Sequence, residues 1–188
     1  MRKAILIFIL FSQSIFSELV LEITKGSDDP YSIAIINFDG PKNINNQIVS
    51  IVSNDLNRTG EFRILKNNQL LSSPANQDEI NYDDFKLLNV DFIVMGATSQ
   101  EDKTNISVSY EIYSVNKKSK IRTSTVYGIP NRLRQLSHYI SDGIYEEVTG
   151  IKGVASTRLL YVTEQIIDSK SLFKLVVADA DGENEQVL

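Results

Sequence analysis

The sequence predicts an α/β fold in which a mixed β-sheet packs against two or three helices, and three observations lead to this prediction. A buried apolar strand, a helix and a second strand follow one another between residues 33 and 65. Two alternating segments rich in β-branched and aromatic residues, 106–115 and 120–129, indicate an antiparallel hairpin. A long amphipathic segment then covers residues 131–150. Strands connected by a helix and strands connected by a hairpin together make a sheet of mixed direction.

The first unit is identified by its hydrophobic periodicity. Residues 33–38 form a dense apolar run, typical of a strand that is buried on both faces. Asn43 is a candidate N-cap for the following helix, Gly60 is a candidate stop, and a second strand closes at Leu65. The apolar residues of the helix recur at helical spacing on one stripe: Ile44, Ile48, Ile51, Val52 and Leu56.

The rest of the predicted domain also consists of helices and strands that follow one another. A shorter helix is expected near Tyr82 to Leu88, before the buried strand "VDFIVMGATS". Pro130 and Asn131 suit the start of the long helix, and Gly150 suits its end. Its apolar stripe consists of Leu133, Leu136, Ile140, Ile144 and Val148. We expect the α/β domain to cover residues 30–152.

The N-terminus has the layout of a secretory signal peptide. Arg2 and Lys3 precede an apolar run, residues 4–11, and small polar residues follow. The run is shorter than the roughly 20 apolar residues that a membrane-spanning helix needs. We therefore expect residues 1–17 to be removed so that Glu18 becomes the first residue, with cleavage after Ser14 as the alternative.

Composition excludes some classes of function. The chain has 188 residues and a formal net charge of −5, and it lacks the basic stripe of a nucleic-acid binder. It contains no cysteine, so thiol chemistry, thiolate metal sites and disulfides are excluded. Stability must therefore come from the folded core.

Few residues suggest catalysis, and we expect no catalytic, cofactor-binding or metal-binding residues. His138 is the only histidine, and its position away from the apolar stripe of the long helix predicts an exposed surface residue. No nucleophile elbow, P-loop or H-E-x-x-H motif is present. Asp179 and Asp181 fit the first positions of a calcium loop, but Gly182 comes too early, which favours a turn.

A short segment behind the predicted cleavage site has strand character. Leu19, Leu21 and Ile23 alternate with Val20 and Glu22, and a flexible break, residues 26–30, follows. Pattern alone favours an ordinary first strand of the domain's own sheet. The alternative is an arm that pairs with an exposed sheet edge of another protein.

The C-terminal stretch "LVVADADGENEQVL" indicates another hairpin. Residues 175–178 form a strand, a tight turn with positive φ at Asp181 and Gly182 follows, and 186–188 begin a return strand. A further turn is expected at residues 168–171. Because a lone hairpin is only marginally stable, it is surprising that the chain stops where a sheet begins.

Two segments give the sequence a family resemblance. "VTGIKGVASTRLLYVTEQ", residues 148–165, and "FKLVVADADGENEQVL", residues 173–188, resemble the TolB family of periplasmic Tol-Pal proteins. Upstream, "IAIINFDG", "IVSNDLNRTGEFRIL" and "VDFIVMGATS" are similar in order and spacing. The resemblance implies that residues 153–188 are the start of a six-bladed β-propeller, truncated in its first repeat. Residues beyond about Lys152 should then be poorly supported, since a blade needs neighbours to bury its faces.

The resemblance also implies a function in binding rather than catalysis. Members link TolA of the inner membrane to the lipoprotein Pal, for outer-membrane integrity and envelope constriction at division. In the family the propeller holds Pal, and the freed N-terminus binds the C-terminal domain of TolA. Residues 18–29 would then be a partner-binding arm. Its TolA-binding residues would be Glu18, Leu19, Val20, Leu21, Glu22, Ile23 and Thr24.

Two other functions stay open at this point. An exported peptidase-type hydrolase could carry such repeats beside a catalytic domain, but it needs a nucleophile and a histidine–acid pair, and the sequence shows neither. A periplasmic recognition module with other partners is the second. For the function that the resemblance implies, contact with membranes would be through partners alone.

Overall fold

A computed structural model describes residues 29–36, 38–100 and 104–188 of the chain. The predicted signal peptide and the predicted arm, apart from Asp29, lie outside these residues. The described part contains a five-stranded sheet with three α-helices, followed by a separate three-stranded sheet. Within it, no helix combines the length and apolar composition needed to cross a bilayer.

The larger sheet is mixed, as predicted. Its strand order is β2-β1-β3-β4-β5, with β1 parallel to β2 and β3 and with antiparallel pairs β3–β4 and β4–β5. The strands are β1 Tyr31–Ile35, β2 Phe62–Leu65, β3 Phe92–Gln100, β4 Ile106–Ser114 and β5 Ser119–Gly128. The parallel strands come from the predicted strand–helix–strand unit, and β4–β5 is the predicted hairpin.

The three α-helices also fall where periodicity placed them: α1 Lys42–Arg58, α2 Tyr82–Leu87 and α3 Leu133–Thr149. Short 3₁₀ turns cover Asn67–Gln69, Gln77–Glu79 and Pro130–Arg132. Gly60 and Gly150 follow α1 and α3 with positive φ, as expected for helix stops.

The predicted N-cap of α1 is wrong. Asn43 lies within the helix, and Pro41 occupies the cap position. Pro41 has no backbone N–H that would need a partner, and its fixed φ suits a helix entry. The buried side chain nearest to this end, Asn45, donates instead to the Phe38 carbonyl at 2.7 Å, which ties the helix to the chain leaving β1.

Strand β1 is buried on both faces because a hydrophobic cluster covers each side of the sheet. Ile33 and Ile35 pack with α1 and α3 in the larger cluster. Ala34 packs on the other face, in the cluster that contains Phe85 of α2. Alternate residues of one strand therefore enter two different cores, which explains its uninterrupted apolar sequence.

The second sheet has the order β6-β7-β8, formed by Arg158–Ile167, Lys170–Asp179 and Gln186–Val187. The turn expected near residue 168 is present, with positive φ at Asp168 and Ser169. The tight turn predicted at Asp181-Gly182 is wrong, because the β7–β8 connection covers residues 180–185. Positive φ occurs at Gly182 and Asn184, not at Asp181. The Asp179 amide closes this wider loop by donating to the Glu183 carbonyl.

Candidate functional site

The site predicted from the sequence, residues 18–24, lies outside the described residues, so its role in binding TolA stays a prediction. The described residues instead bring together a cluster of ionic side chains where α1, α3 and the β7–β8 connection meet. We call this cluster the joint. Its members are Asp55, Arg134, His138, Asp142 and Asp181.

Helix α3 supplies the joint from a stripe opposite to its apolar one. Arg134, His138 and Asp142 recur every four residues, so their side chains lie on one face of the helix. The core-facing residues Leu136 and Ile140 are buried in the larger cluster. One face of α3 thus packs on the sheet, while the other meets the C-terminal part of the chain.

The prediction that His138 is an exposed surface residue is wrong, since only 2% of it is exposed. The helical wheel correctly placed it off the apolar stripe. That side of α3 is nevertheless covered, because α1 and the β7–β8 connection pack against it. Periodicity identifies the face that enters the main core, but it does not show what covers the opposite face.

His138 is paired with an acid of α1. The Asp55 carboxylate Oδ2 lies 2.7 Å from His138 Nδ1, and both side chains are almost fully buried. Ser141 donates its hydroxyl to the same oxygen at 2.7 Å. Arg58 reaches the other oxygen, Oδ1, at 3.3 Å. The Asp55 carboxylate therefore has three partners, as a buried charge requires.

The second acid of the joint comes from the β7–β8 connection. Arg134 Nη2 donates to Asp181 Oδ2, and His138 Nε2 lies 3.7 Å from the same oxygen. Burial alone would raise the pKa of Asp181. The Glu183 amide and the charges of Arg134 and His138 outweigh burial and hold this pKa below its ordinary value.

Asp142 connects α3 to the start of the second sheet. Its carboxylate accepts hydrogen bonds from the Ala155 amide at 2.7 Å and the Ser156 amide at 3.0 Å. Gly153 makes this approach possible: a Cβ there would lie 2.4 Å from Asp142 Oδ1 and 2.6 Å from its Cα. The connecting segment is thereby fixed against the helix by backbone hydrogen bonds.

The geometry of the joint is not that of a nucleophile and its base. Ser141 bonds to the acid rather than to His138, whereas an activated serine must bond to the imidazole. Asp55, His138 and Asp181 do bring possible metal-ligand atoms within 4.8 Å of one another. However, the guanidinium groups of Arg58 and Arg134 already contact the two carboxylates and supply positive charge there.

Two clefts border the joint. One, of about 400 Å³, lies between α1, α3 and residues 151–155, and its wall is largely apolar. The other, of about 580 Å³, is lined by polar residues that include Arg132, Arg158 and Glu185. His138 also lines the polar cleft, so one side of its ring faces exposed charged side chains.

The joint was not predicted from the sequence, in which no histidine–acid pair was expected, whereas His138 and Asp55 form one. Asp55 and His138 are 83 residues apart, and Arg134 and Asp181 are 47 apart, so sequence spacing does not reveal either contact. One signal was available: an arginine, a histidine and an aspartate at four-residue intervals on the polar face of a helix. The turn role predicted for Asp179 and Asp181 agrees with their contacts to Asn184 and the Glu183 amide.

Comparison with known proteins identifies the family. A family model described as the TolB amino-terminal domain matches residues 19–121. A curated relative named Tol-Pal system protein TolB, from Alcanivorax borkumensis, is 37% identical over 88% of this chain and 38% of its own length. The protein of that name from a Marinomonas species is 36% identical over 96% of this chain and 42% of its own length.

A solved structure agrees with these relatives. The crystal structure of TolB from Acinetobacter baumannii matches with a TM-score of 0.75 and 31% identity, covering 88% of this chain and 40% of that one. The expected α/β fold with a mixed sheet is thereby confirmed. The chain spans about two fifths of the length of the relatives it matches. By sequence and by fold, the chain belongs to the TolB family of Tol-Pal system proteins.

Proposed function

We propose that this chain serves as a non-enzymatic periplasmic adaptor of the Tol-Pal system, linking TolA of the inner membrane to the lipoprotein Pal. Such a link would support outer-membrane integrity and envelope constriction at cell division. TolA would be bound through residues 18–24, and Pal through a propeller whose first strands are residues 153–188. Contact with either membrane would pass through these partners.

One observation carries the proposal: the TolB amino-terminal family model matches from residue 19 onward. The match begins within the predicted arm, directly behind the predicted signal peptide, and continues to residue 121, within the α/β domain. Residues 19–29 thus match the same family model as most of the α/β domain, and residues 1–18 lie outside the match. This agrees with an exported chain whose new N-terminus is part of its function.

The pairing of β1 supports a binding role for the arm over the alternative of an ordinary first strand. β1 begins at Tyr31 and is already hydrogen-bonded to β2 on one side and to β3 on the other. A preceding strand would have to join the sheet at β2 or β5, its two edges. The four residues of β2 offer a short edge for a seven-residue segment. The ten residues of β5 offer a longer edge, but this edge lies three strands away from β1, where the chain enters the sheet.

Exposure in the second sheet supports the propeller part of the proposal. Leu160, Val162 and Phe173 are each more than 60% exposed. A single blade leaves such side chains uncovered until neighbouring blades pack on them. The joint attaches one end of this sheet to the α/β domain, as expected at the boundary between two domains.

The experiment is a calorimetric titration of the C-terminal domain of TolA into the chain that starts at Glu18. Deleting residues 18–29 should abolish the binding heat while thermal unfolding of the α/β domain is unchanged. Unchanged affinity after the deletion would contradict the proposal.

Proline substitutions test whether backbone pairing is the mode of binding. Neighbouring amides of a strand point to opposite sides, so Val20→Pro and Leu21→Pro remove N–H groups that face opposite ways. We expect one of the two to weaken binding by about tenfold more than the other, since only one side pairs with the partner. Lys25→Pro, behind the proposed contact, is the matched control and should bind normally. Equal effects of all three would rule out strand pairing.

A further inference from the structure

His138 lies between two carboxylates that come from different parts of the fold. Asp55 belongs to α1 of the α/β domain, and Asp181 belongs to the connection between β7 and β8. The ring nitrogens face them separately, with Nδ1 2.7 Å from Asp55 Oδ2 and Nε2 3.7 Å from Asp181 Oδ2. One buried ring therefore bridges the two sheets.

The hydrogen bonds determine which nitrogen carries the hydrogen of the neutral ring. A carboxylate oxygen can only accept, so Nδ1 must donate to Asp55. In the neutral ring Nε2 is then a bare lone pair, buried and without a hydrogen-bond partner among the described residues. It faces the oxygen of Asp181, which is also electron-rich. A proton on Nε2 converts this repulsion into attraction.

The charges around the ring also favour a proton on Nε2. The buried and half-buried charged groups linked to the ring through ion pairs are three carboxylates, of Asp55, Asp179 and Asp181, and the guanidinium group of Arg134. With the exposed guanidinium group of Arg58 included, these sum to one negative charge beside a neutral histidine and to zero beside a protonated one. The half-buried carboxylate of Asp142, on the same helix, adds a further negative charge. Ser141 adds no charge. The remaining charged side chains lining the adjoining cleft are exposed, so water screens them: Arg132, Arg158 and Glu185.

A proton suits this position better than a divalent metal ion. Arg134 already donates to the Asp181 oxygen that faces Nε2, and Arg58 contacts Asp55. A metal ion would have to bind between two fixed positive charges. A proton adds a single charge and leaves both guanidinium contacts intact.

We propose that His138 is a proton-operated lock between the two sheets. The protonated ring binds Asp55 and Asp181 together and holds the β7–β8 connection against α3. Loss of the proton leaves two electron-rich atoms facing each other and loosens this connection. The lock is therefore closed while the ring carries this proton, and it opens when a rising pH removes the proton. The inference does not depend on which partners the chain binds.

The test uses the fact that His138 is the only histidine in the chain. Its labelled imidazole gives one set of NMR signals, which reports protonation and tautomer between about pH 5 and 8.5. In the same samples, amide hydrogen exchange of Ala180 and Gly182, corrected for intrinsic rates, reports how readily the β7–β8 connection opens. We expect protection of these amides to fall by about tenfold as the ring loses its proton.

Two matched variants separate the lock from general electrostatics. Asp181→Asn removes the carboxylate that faces Nε2, and the exchange of Ala180 should then no longer follow the ring titration. Asp179→Asn changes a carboxylate at the end of β7, next to the connection, that does not contact the ring, and the coupling should persist. If either variant folds poorly, the wild-type titration is still a sufficient test of the proposal.

Three results would overturn the proposal. The ring could titrate without any change at Ala180 and Gly182, or it could keep one protonation state across the whole range. In the third, stoichiometric Zn²⁺ would shift the ring signals at neutral pH, which would make the cluster a metal site.

Discussion

Both sheets contain a hairpin of strands that are nine or ten residues long, but they bury their side chains very differently. In the five-stranded sheet Ile33, Ile93 and Ile112 are completely buried. In the three-stranded sheet Leu160 is 64% exposed and Phe173 is 63% exposed. Helices cover the first sheet, whereas the second is held at one end by the joint. The comparison shows one chain using hydrophobic burial for one sheet and hydrogen-bonded charges to position the other.

The largest effect should come from the core of the α/β domain. Ile140→Ala removes a completely buried side chain between α3 and the sheet, and we expect it to lower the free energy of unfolding by about 4 kcal/mol. Ile166→Ala in β6, at a side chain that is 72% exposed, should change it by less than about 0.5 kcal/mol. Denaturant unfolding measures both. Similar losses of unfolding free energy in both variants would contradict the difference in burial between the two sheets.

Breaking the joint should have the next largest effect. Asp55→Ala leaves His138 buried without its acceptor, whereas Ser141 keeps the Ser137 carbonyl at 3.0 Å, and we expect a loss of about 3 kcal/mol in the free energy of unfolding. Asp168→Asn, in an exposed turn, is the control and should be neutral within about 0.5 kcal/mol. A neutral Asp55→Ala would show that the joint does not stabilise the fold.

A smaller effect is expected where the second sheet begins. Gly153→Ala places a methyl group against Asp142 and should cost about 1.5 kcal/mol through overpacking. Gly150→Ala has open space around it, so strain at its positive φ is its main cost, about 1 kcal/mol. The two are distinguished by amide exchange at Ala155 and Ser156, which only Gly153→Ala should accelerate. Faster exchange in both variants would count against the contact with Asp142.

The smallest effect concerns acid pH. Because the folded-state pKa of Asp181 is lowered, its contribution to stability is present above the unfolded value, about pH 3.9, and disappears as the pH falls through the folded value. Asp181→Asn should therefore lose less stability than the wild type between about pH 5 and pH 2.5. Unfolding curves at several pH values measure this difference. An unchanged pH dependence would mean that Asp181 makes no ionic contribution.

Most of the fold could be predicted because its signals are local. The apolar spacing of α1 and α3 and the alternation of β4 and β5 each lie within one element, and the structure confirms them. The errors came where a tertiary contact decides the conformation. Pro41 replaced Asn43 at the cap, and the β7–β8 connection became a wide loop in which Asp181 contacts α3.

The joint could not be predicted in the same way. Helical periodicity placed His138 away from the main core, and this part was correct. Its burial depends on Asp55 and Asp181, which come from elements distant in sequence. The TolA-binding arm was inferred from a family resemblance, and because it lies outside the described residues it stays a prediction.

Amide hydrogen exchange along the whole chain tests most directly whether the two sheets are held by different forces. Amides of β1 and β3 should exchange only through global unfolding, and those of β6 and β7 through a local opening of lower free energy. Asp181→Asn should lower the opening free energy of β6 and β7 and leave β1 and β3 unchanged. A single opening free energy shared by both sheets, lowered equally by Asp181→Asn, would contradict a separate ionic hold on the second sheet.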